Sequence, residues 1–162
     1  MDTQDFRRAY AEFLDAAQRQ DFGPPAHGGW NADMVLAHVI VGDRLIAEAA
    51  AKIMAGVPTS FDNLASQSEP YLQSVIDAAG SRDGLLAEVR RTGDELIALV
   101  DRVTEEQAAT HLVCKVVSDN AVVFDTTFPL AALLRSPVNT HLHMHAQQLA
   151  ALASQPHAVH ST

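Results

Sequence analysis

Cysteine occurs once in these 162 residues, at Cys114, so no disulfide can form within the chain, and the usage is that of a protein kept in a reducing cytoplasm. A lone thiol of this kind is ordinarily a small buried apolar side chain. Basic residues are also scarce. Eleven Lys and Arg stand against twenty Asp and Glu, a formal charge of -9, which sets most of the surface against a nucleic-acid phosphate backbone. No apolar run approaches the roughly 20 residues that cross a bilayer. The opening MDTQDFRRAY carries charges where a signal peptide needs its apolar stretch. Nucleic acid and membrane are thereby disfavoured as partners.

Apolar residues make up 48% of the chain and charged ones 19%, enough to build a real core in one domain spanning residues 1 to 162. Phe6, Tyr10, Phe13, Leu14 and Ala17 recur at helical spacing, which predicts a first helix from about Asp2 to Arg19. The segment DFGPPAHGGW cannot continue it. Asn31 then supplies a cap and Asp33 a favourable first-turn charge for a second helix over residues 32 to 54, whose stripe runs through Val35, His38, Gly42, Leu45, Ala49 and Ile53. Gly56 and Pro58 end it. Residues 58 to 68 read as a crossover, with a short helical turn around Tyr71, Val75 and Ile76. Ser81 caps a third long helix, after which TEEQ at 104 to 107 reads as a capping box. Two β-branched runs around Ser118, Asp119 and Asn120 predict a two-stranded hairpin. Leu130, Leu133, Leu134, Val138, His141, His145, Leu149 and Leu152 describe a fourth helix beginning near Pro129 and ending near Ser154, with a frayed tail from about residue 155. The expected class is all-α, a four-helix bundle with a short β-hairpin before the last helix.

Eight histidines are distributed over this frame. His141 and His145 are four residues apart and project from successive turns of one apolar face. His143, between them, is rotated by roughly 200 degrees and should meet solvent. His38 lies in the inward stripe of helix two. Three core-facing imidazoles each need a donor and an acceptor satisfied, and a bundle interior offers few backbone groups to do it. A shared divalent cation, zinc first and then nickel or iron(II), satisfies all three and leaves a coordination position open. The competing reading is three satisfied core histidines with no metal.

Gln148, one turn beyond His145, could orient a ligand or make a helix-to-helix hydrogen bond. Trp30 reads as a staple over the bundle end or as the wall of a substrate cleft. Asp43, five residues past His38, should turn away to solvent. His27 sits in a Pro/Gly loop, His111 opens the hairpin, and His157 and His160 belong to the tail.

WNADMVLAHVI at 30 to 40 resembles the tryptophan, aspartate and histidine signature near helix two of the DinB superfamily, and TFPLAALLRSPVNTHLHMHAQQL at 127 to 149 is similar to its last-helix pattern. That superfamily includes the amino-terminal domain of mycothiol-dependent maleylpyruvate isomerase and the bacillithiol-transferase-like enzymes. The resemblance implies an up-down-down-up bundle and a homodimer. It also implies one metal on His38, His141 and His145, activating a low-molecular-weight thiol such as mycothiol or bacillithiol against a small electrophile. S-transfer or isomerisation is the expected reaction class, with metal-dependent hydrolysis second. For the isomerase itself the resemblance implies a glutamate where this chain has His141, and a further carboxy-terminal domain. The rival to an enzyme is a bundle that binds a metal or ligand without catalysis, as a sensor or interaction module.

Overall fold

The computed structural model describes residues 2–19, 21–25, 29–118 and 121–153. Helix α1, Gln4–Ala17, buries Phe6, Tyr10, Phe13 and Ala17, the stripe that its spacing predicts. Phe13 is fully enclosed, and truncating such a ring to alanine costs about 3–5 kcal/mol. Helix α2, Ala32–Met54, starts where expected. Asn31 holds extended backbone and its side chain accepts the Met34 N–H at 2.9 Å, satisfying one of the donors that every helix start leaves open. Every residue of α2 from Val35 to Asp43 is buried. A helix enclosed all round is a central one.

Between α2 and the next long helix lies more structure than a crossover. Strand β1, Ser60–Asp62, is followed by a single turn, α3, Leu64–Gln67, and by α4, Glu69–Ala79. Helix α4 buries Leu72 and Val75 against α2 and ends at Gly80, whose left-handed backbone (φ 72°) lets its N–H close back on Ile76. Helix α5, Arg82–Arg102, is capped by the Ser81 side chain, which accepts the Gly84 N–H. The capping box Thr104/Gln107 opens a short α6, Glu105–Ala109, with both reciprocal hydrogen bonds formed.

Strands β2, His111–Ser118, and β3, Ala121–Pro129, pair antiparallel as the two β-branched runs predict, and Asp119 and Asn120 of the expected turn lie outside the described residues. The hairpin is not two-stranded in isolation, however. Strand β1 adds in parallel to β2, Phe61 opposite Cys114, giving a sheet of order β1-β2-β3. A three-residue strand with one buried side chain, Phe61, carries too little alternation to be read locally.

The last helix is also not continuous. It comprises α7, Leu130–Ser136, a π-helical turn, Pro137–His141, and α8, Leu142–Ala153. Pro137 has no N–H to give the preceding turn, and the ladder resumes one residue wide, with the Leu142 N–H on the Pro137 carbonyl. The inserted residue shifts the core stripe, which passes from Pro137 to Leu142 and on through His145, Leu149 and Leu152. Helix α1 packs on α5 and α8, and α2 packs on the same two. The chain is therefore mostly helical with a small three-stranded sheet. Among the described residues no helix is long and apolar enough to cross a membrane.

Candidate metal centre

His38 leaves the central helix toward α8, and His141 and His145 meet it from the π-turn and the first turns of α8. His141 packs over Gly42, where a Cβ would make an ordinary van der Waals contact of 3.5 Å with His141 Cε1. His38 and His145 are each 5% exposed, while His141 is half-buried. One ring nitrogen from each of the three lies within 4.8 Å of the others. Nitrogens bound to one zinc at about 2.0–2.1 Å stand about 3.3 Å apart in a tetrahedron, so small side-chain adjustments separate the observed cluster from a ligand set.

Hydrogen bonds fix how these rings present themselves. His38 Nδ1 lies 2.7 Å from the Ser66 carbonyl oxygen. A carbonyl only accepts, so Nδ1 carries the proton and Nε2 faces the cluster with a bare lone pair. His145 Nδ1 donates in the same way to Gln148 Oε1 at 2.8 Å. The His38 and His141 Nε2 atoms are 2.8 Å apart, close enough to share one proton. His145 Nε2 is then left buried with no partner. An orphaned acceptor of this kind in a packed interior costs about 1–3 kcal/mol, and a cation is the group that accepts all three lone pairs.

The electrostatics agree with neutral ligands. Burial pushes the His38 pKa down to about 4, with the neighbouring His145 adding to the effect. Burial also lowers His141 well below the usual range, reinforced by both other rings, and lowers His145 against the opposing bond to Gln148. Deprotonated imidazole is the metal-binding form. The donor set, its convergence and the orphaned nitrogen together fit a divalent ion.

Trp30 packs against His38, with 4.8 Å between ring centroids and a tilt of 43°. His143 is exposed and pairs with Gln147 on the outer face of α8. Cys114 is buried on β2, its Sγ 3.7 Å from the Leu112 carbonyl, and burial raises its pKa; it is not part of the cluster. His111 is exposed on the sheet. His27, His157 and His160 lie outside the described residues. Two clefts, of about 190 Å³ between α1 and α8 and about 300 Å³ between α1 and α5, contain none of the three clustered histidines.

Asp43 corrects the expectation of a solvated carboxylate. It is 1% exposed. Turning away from His38 carries it not to water but to α5, where Thr92 Oγ1 donates to Oδ2 at 3.1 Å. Tyr10 of α1 reaches the same carboxyl across Gly93, where a Cβ would come within 2.8 Å of its ring. Burial raises the Asp43 pKa to about 7, with the Tyr10 and Thr92 hydroxyls opposing. Tyr10 is itself raised well above the ordinary tyrosine value, first by burial and then by Asp43. Neither Tyr10 Oη nor Asp43 Oδ1 completes a well-formed hydrogen bond. Sequence reasoning also passed over Ser66, because a backbone carbonyl that orients a ring leaves no mark in residue type.

No family model matches the chain, and no curated protein matches it. Among solved structures, it is similar to the crystal structure of the mycothiol-dependent maleylpyruvate isomerase, with a TM-score of 0.68 and 14% identity over 90% of this chain and 57% of that one. The chain thus spans little more than half the length of the structure it matches. At this identity the likeness is one of fold alone, and it agrees with the fold expected from the DinB resemblance.

Proposed function

We propose, from a DinB-like fold whose interior gathers three neutral imidazoles around an orphaned nitrogen, that the protein is a divalent-metal-dependent enzyme. It would use a low-molecular-weight thiol in S-transfer to, or isomerisation of, a small electrophile. His38, His141 and His145 are the metal ligands of this reading, Gln148 and Trp30 their supports. The observation that carries it is the buried, unpartnered His145 Nε2 beside two further ring nitrogens. A bound divalent ion, zinc first and nickel or iron(II) next, supplies a Lewis acid that lowers the pKa of a thiol or water placed there.

The chain's own residues do the rest. The Ser66 carbonyl and Gln148 Oε1 hold the Nδ1 protons of His38 and His145, so that both Nε2 lone pairs point at one place. Trp30 covers the His38 ring and keeps water from it. His141, the most open of the three, marks the side from which a thiol and substrate reach the centre. The reading includes an up-down-down-up arrangement of the four long helical segments in one domain, a homodimer and a cytoplasmic setting. Mycothiol is the thiol that the fold neighbour's name suggests, with bacillithiol the alternative. Metal-dependent hydrolysis is the next choice.

One observation favours a second reading, a metal-binding bundle without catalysis: two of the three rings are almost fully buried and one of those is covered by Trp30. Cobalt(II)-loaded protein discriminates the two. Addition of a small thiol should produce a near-ultraviolet sulfur-to-cobalt charge-transfer band, and an electrophile should then consume the thiol catalytically. Metal binding with neither band nor turnover would support the second reading.

A further inference from the structure

Strand β1 stops at Asp62, opposite Lys115, two residues short of Val117 on β2. Val117 sits at the bulge where the pairing of β2 with β3 slips between Val116 and Val117. There the side chain of Asn63 takes the place of the missing backbone. Its Nδ2 donates to the Val117 carbonyl at 2.9 Å, and its Oδ1 accepts the Val117 N–H at 2.7 Å. A primary amide offers an N–H donor and a carbonyl acceptor on one edge, so this one side chain satisfies both backbone groups of Val117 and extends the ladder by one step. Alanine, serine or leucine at this position could not do so.

The main chain of the same residue shapes the next turn. The Asn63 carbonyl accepts both the Ser66 N–H at 3.0 Å and the Ser66 hydroxyl at 2.8 Å, which winds the single turn α3 and buries Ser66. The Ser66 carbonyl thereby faces His38 Nδ1 at 2.7 Å. An unbroken series of hydrogen bonds runs from Val117 through Asn63 and Ser66 to the ring whose other nitrogen enters the histidine cluster. Each link is 3.0 Å or shorter.

We propose that Asn63 is a positioning residue for the candidate metal centre, acting through Ser66 to hold His38 as its Nδ1–H tautomer with Nε2 bare toward His141 and His145. Neutral imidazole has two tautomers of similar intrinsic stability, and the partner of one nitrogen decides which is present. Losing such an outer partner typically weakens metal affinity about 10–100-fold. The affinity part of the inference rests on the metal reading above, whereas the tautomer part concerns the ring alone.

Two readouts separate them. In the metal-free protein, ¹⁵N NMR of the imidazoles should show His38 as a single Nδ1–H tautomer, becoming a mixture in Asn63→Ala. In zinc competition against a chelator, Asn63→Ala should bind at least about tenfold more weakly. Thr104→Ala, which removes the cap of α6 and touches no link of the series, is the control for lost stability alone and should change neither readout. Should Asn63→Ala not fold, Asn63→Asp, which keeps the acceptor for the Val117 N–H and loses the donor, is read in the same way. An unchanged His38 tautomer in the Asn63 variant would overturn the proposal. Absence of zinc binding in the wild type together with a shifted tautomer would support the positioning role and remove the metal reading instead.

Discussion

Helix α2 carries two buried polar residues five positions apart, and each belongs to a cluster of three. Around His38 the partners are His141 and His145; around Asp43 they are Tyr10 and Thr92. The Asp43 cluster is shut away from water and the histidine cluster is open at His141, and their chemistry is opposite. The second contains two hydroxyl donors and one carboxyl, so a single proton on Asp43 leaves it electrically neutral with no outside help. The first presents converging lone pairs with at most one proton between them. Burial of polar groups therefore does not by itself mark a site. What sets the histidine cluster apart is the kind of deficit: its unpartnered atom is a nitrogen lone pair beside two more, a set that a cation satisfies, whereas the unpartnered Tyr10 Oη and Asp43 Oδ1 are a donor and an acceptor of one cluster that can satisfy each other.

Four perturbations set the two clusters against each other. The largest effect belongs to Asp43. Its pKa is raised to about 7 in the fold from 3.8. Between about pH 4 and pH 7 the folded state therefore holds a proton that the unfolded chain releases. Stability present at low pH is lost as pH rises through 7, by about 4 kcal/mol at most on the linkage relation. Asp43→Asn should flatten this difference, and urea unfolding of both proteins at pH 4.5, 6 and 8 measures it. If the two proteins show parallel pH profiles, Asp43 is not a buried proton-holding group.

Next is the stabilisation expected from metal. At a hundredfold excess of free zinc over its dissociation constant, binding to the folded state alone contributes about 2.7 kcal/mol, seen as a rise of several degrees in Tm. His145→Ala should abolish the rise, whereas Asp43→Asn should leave it intact. Gln148→Ala should weaken zinc binding about tenfold by freeing the His145 ring to turn, with the Tm of the metal-free protein nearly unchanged. The smallest effect is that of Thr92→Val, which removes the hydroxyl that Asp43 accepts from. It should cost about 1 kcal/mol at pH 8, where the carboxylate is charged, and less at pH 4.5.

The sequence made some of this legible and hid the rest for identifiable reasons. Asn31, Ser81 and the Thr104/Gln107 box announce their helices because a cap is written within four residues of what it caps. His141 and His145 could be paired for the same reason, and His38 fell in an inward stripe. Strand β1 was hidden because its partner, β2, lies some fifty residues away. The break at Pro137 is visible as a residue type, but apolar spacing reads smoothly through it until the jump from Pro137 to Leu142 is seen. Asp43 was misread because a helical wheel tells which residues oppose one another, not whether a second layer waits on the far side. Here α5 does. The supports of the candidate site, Ser66 and Asn63, escaped for a third reason: one works through its backbone, the other by imitating one.

The proposed function depends on three imidazoles sharing one ion. Elemental analysis of protein purified without an affinity tag or added metal, for the wild type and for His141→Ala, tests it most directly. About one divalent metal per chain is expected in the wild type and none in the variant. No metal in either protein, and none retained after reconstitution with zinc, nickel or iron(II), would contradict a shared ion and leave the three histidines as core residues.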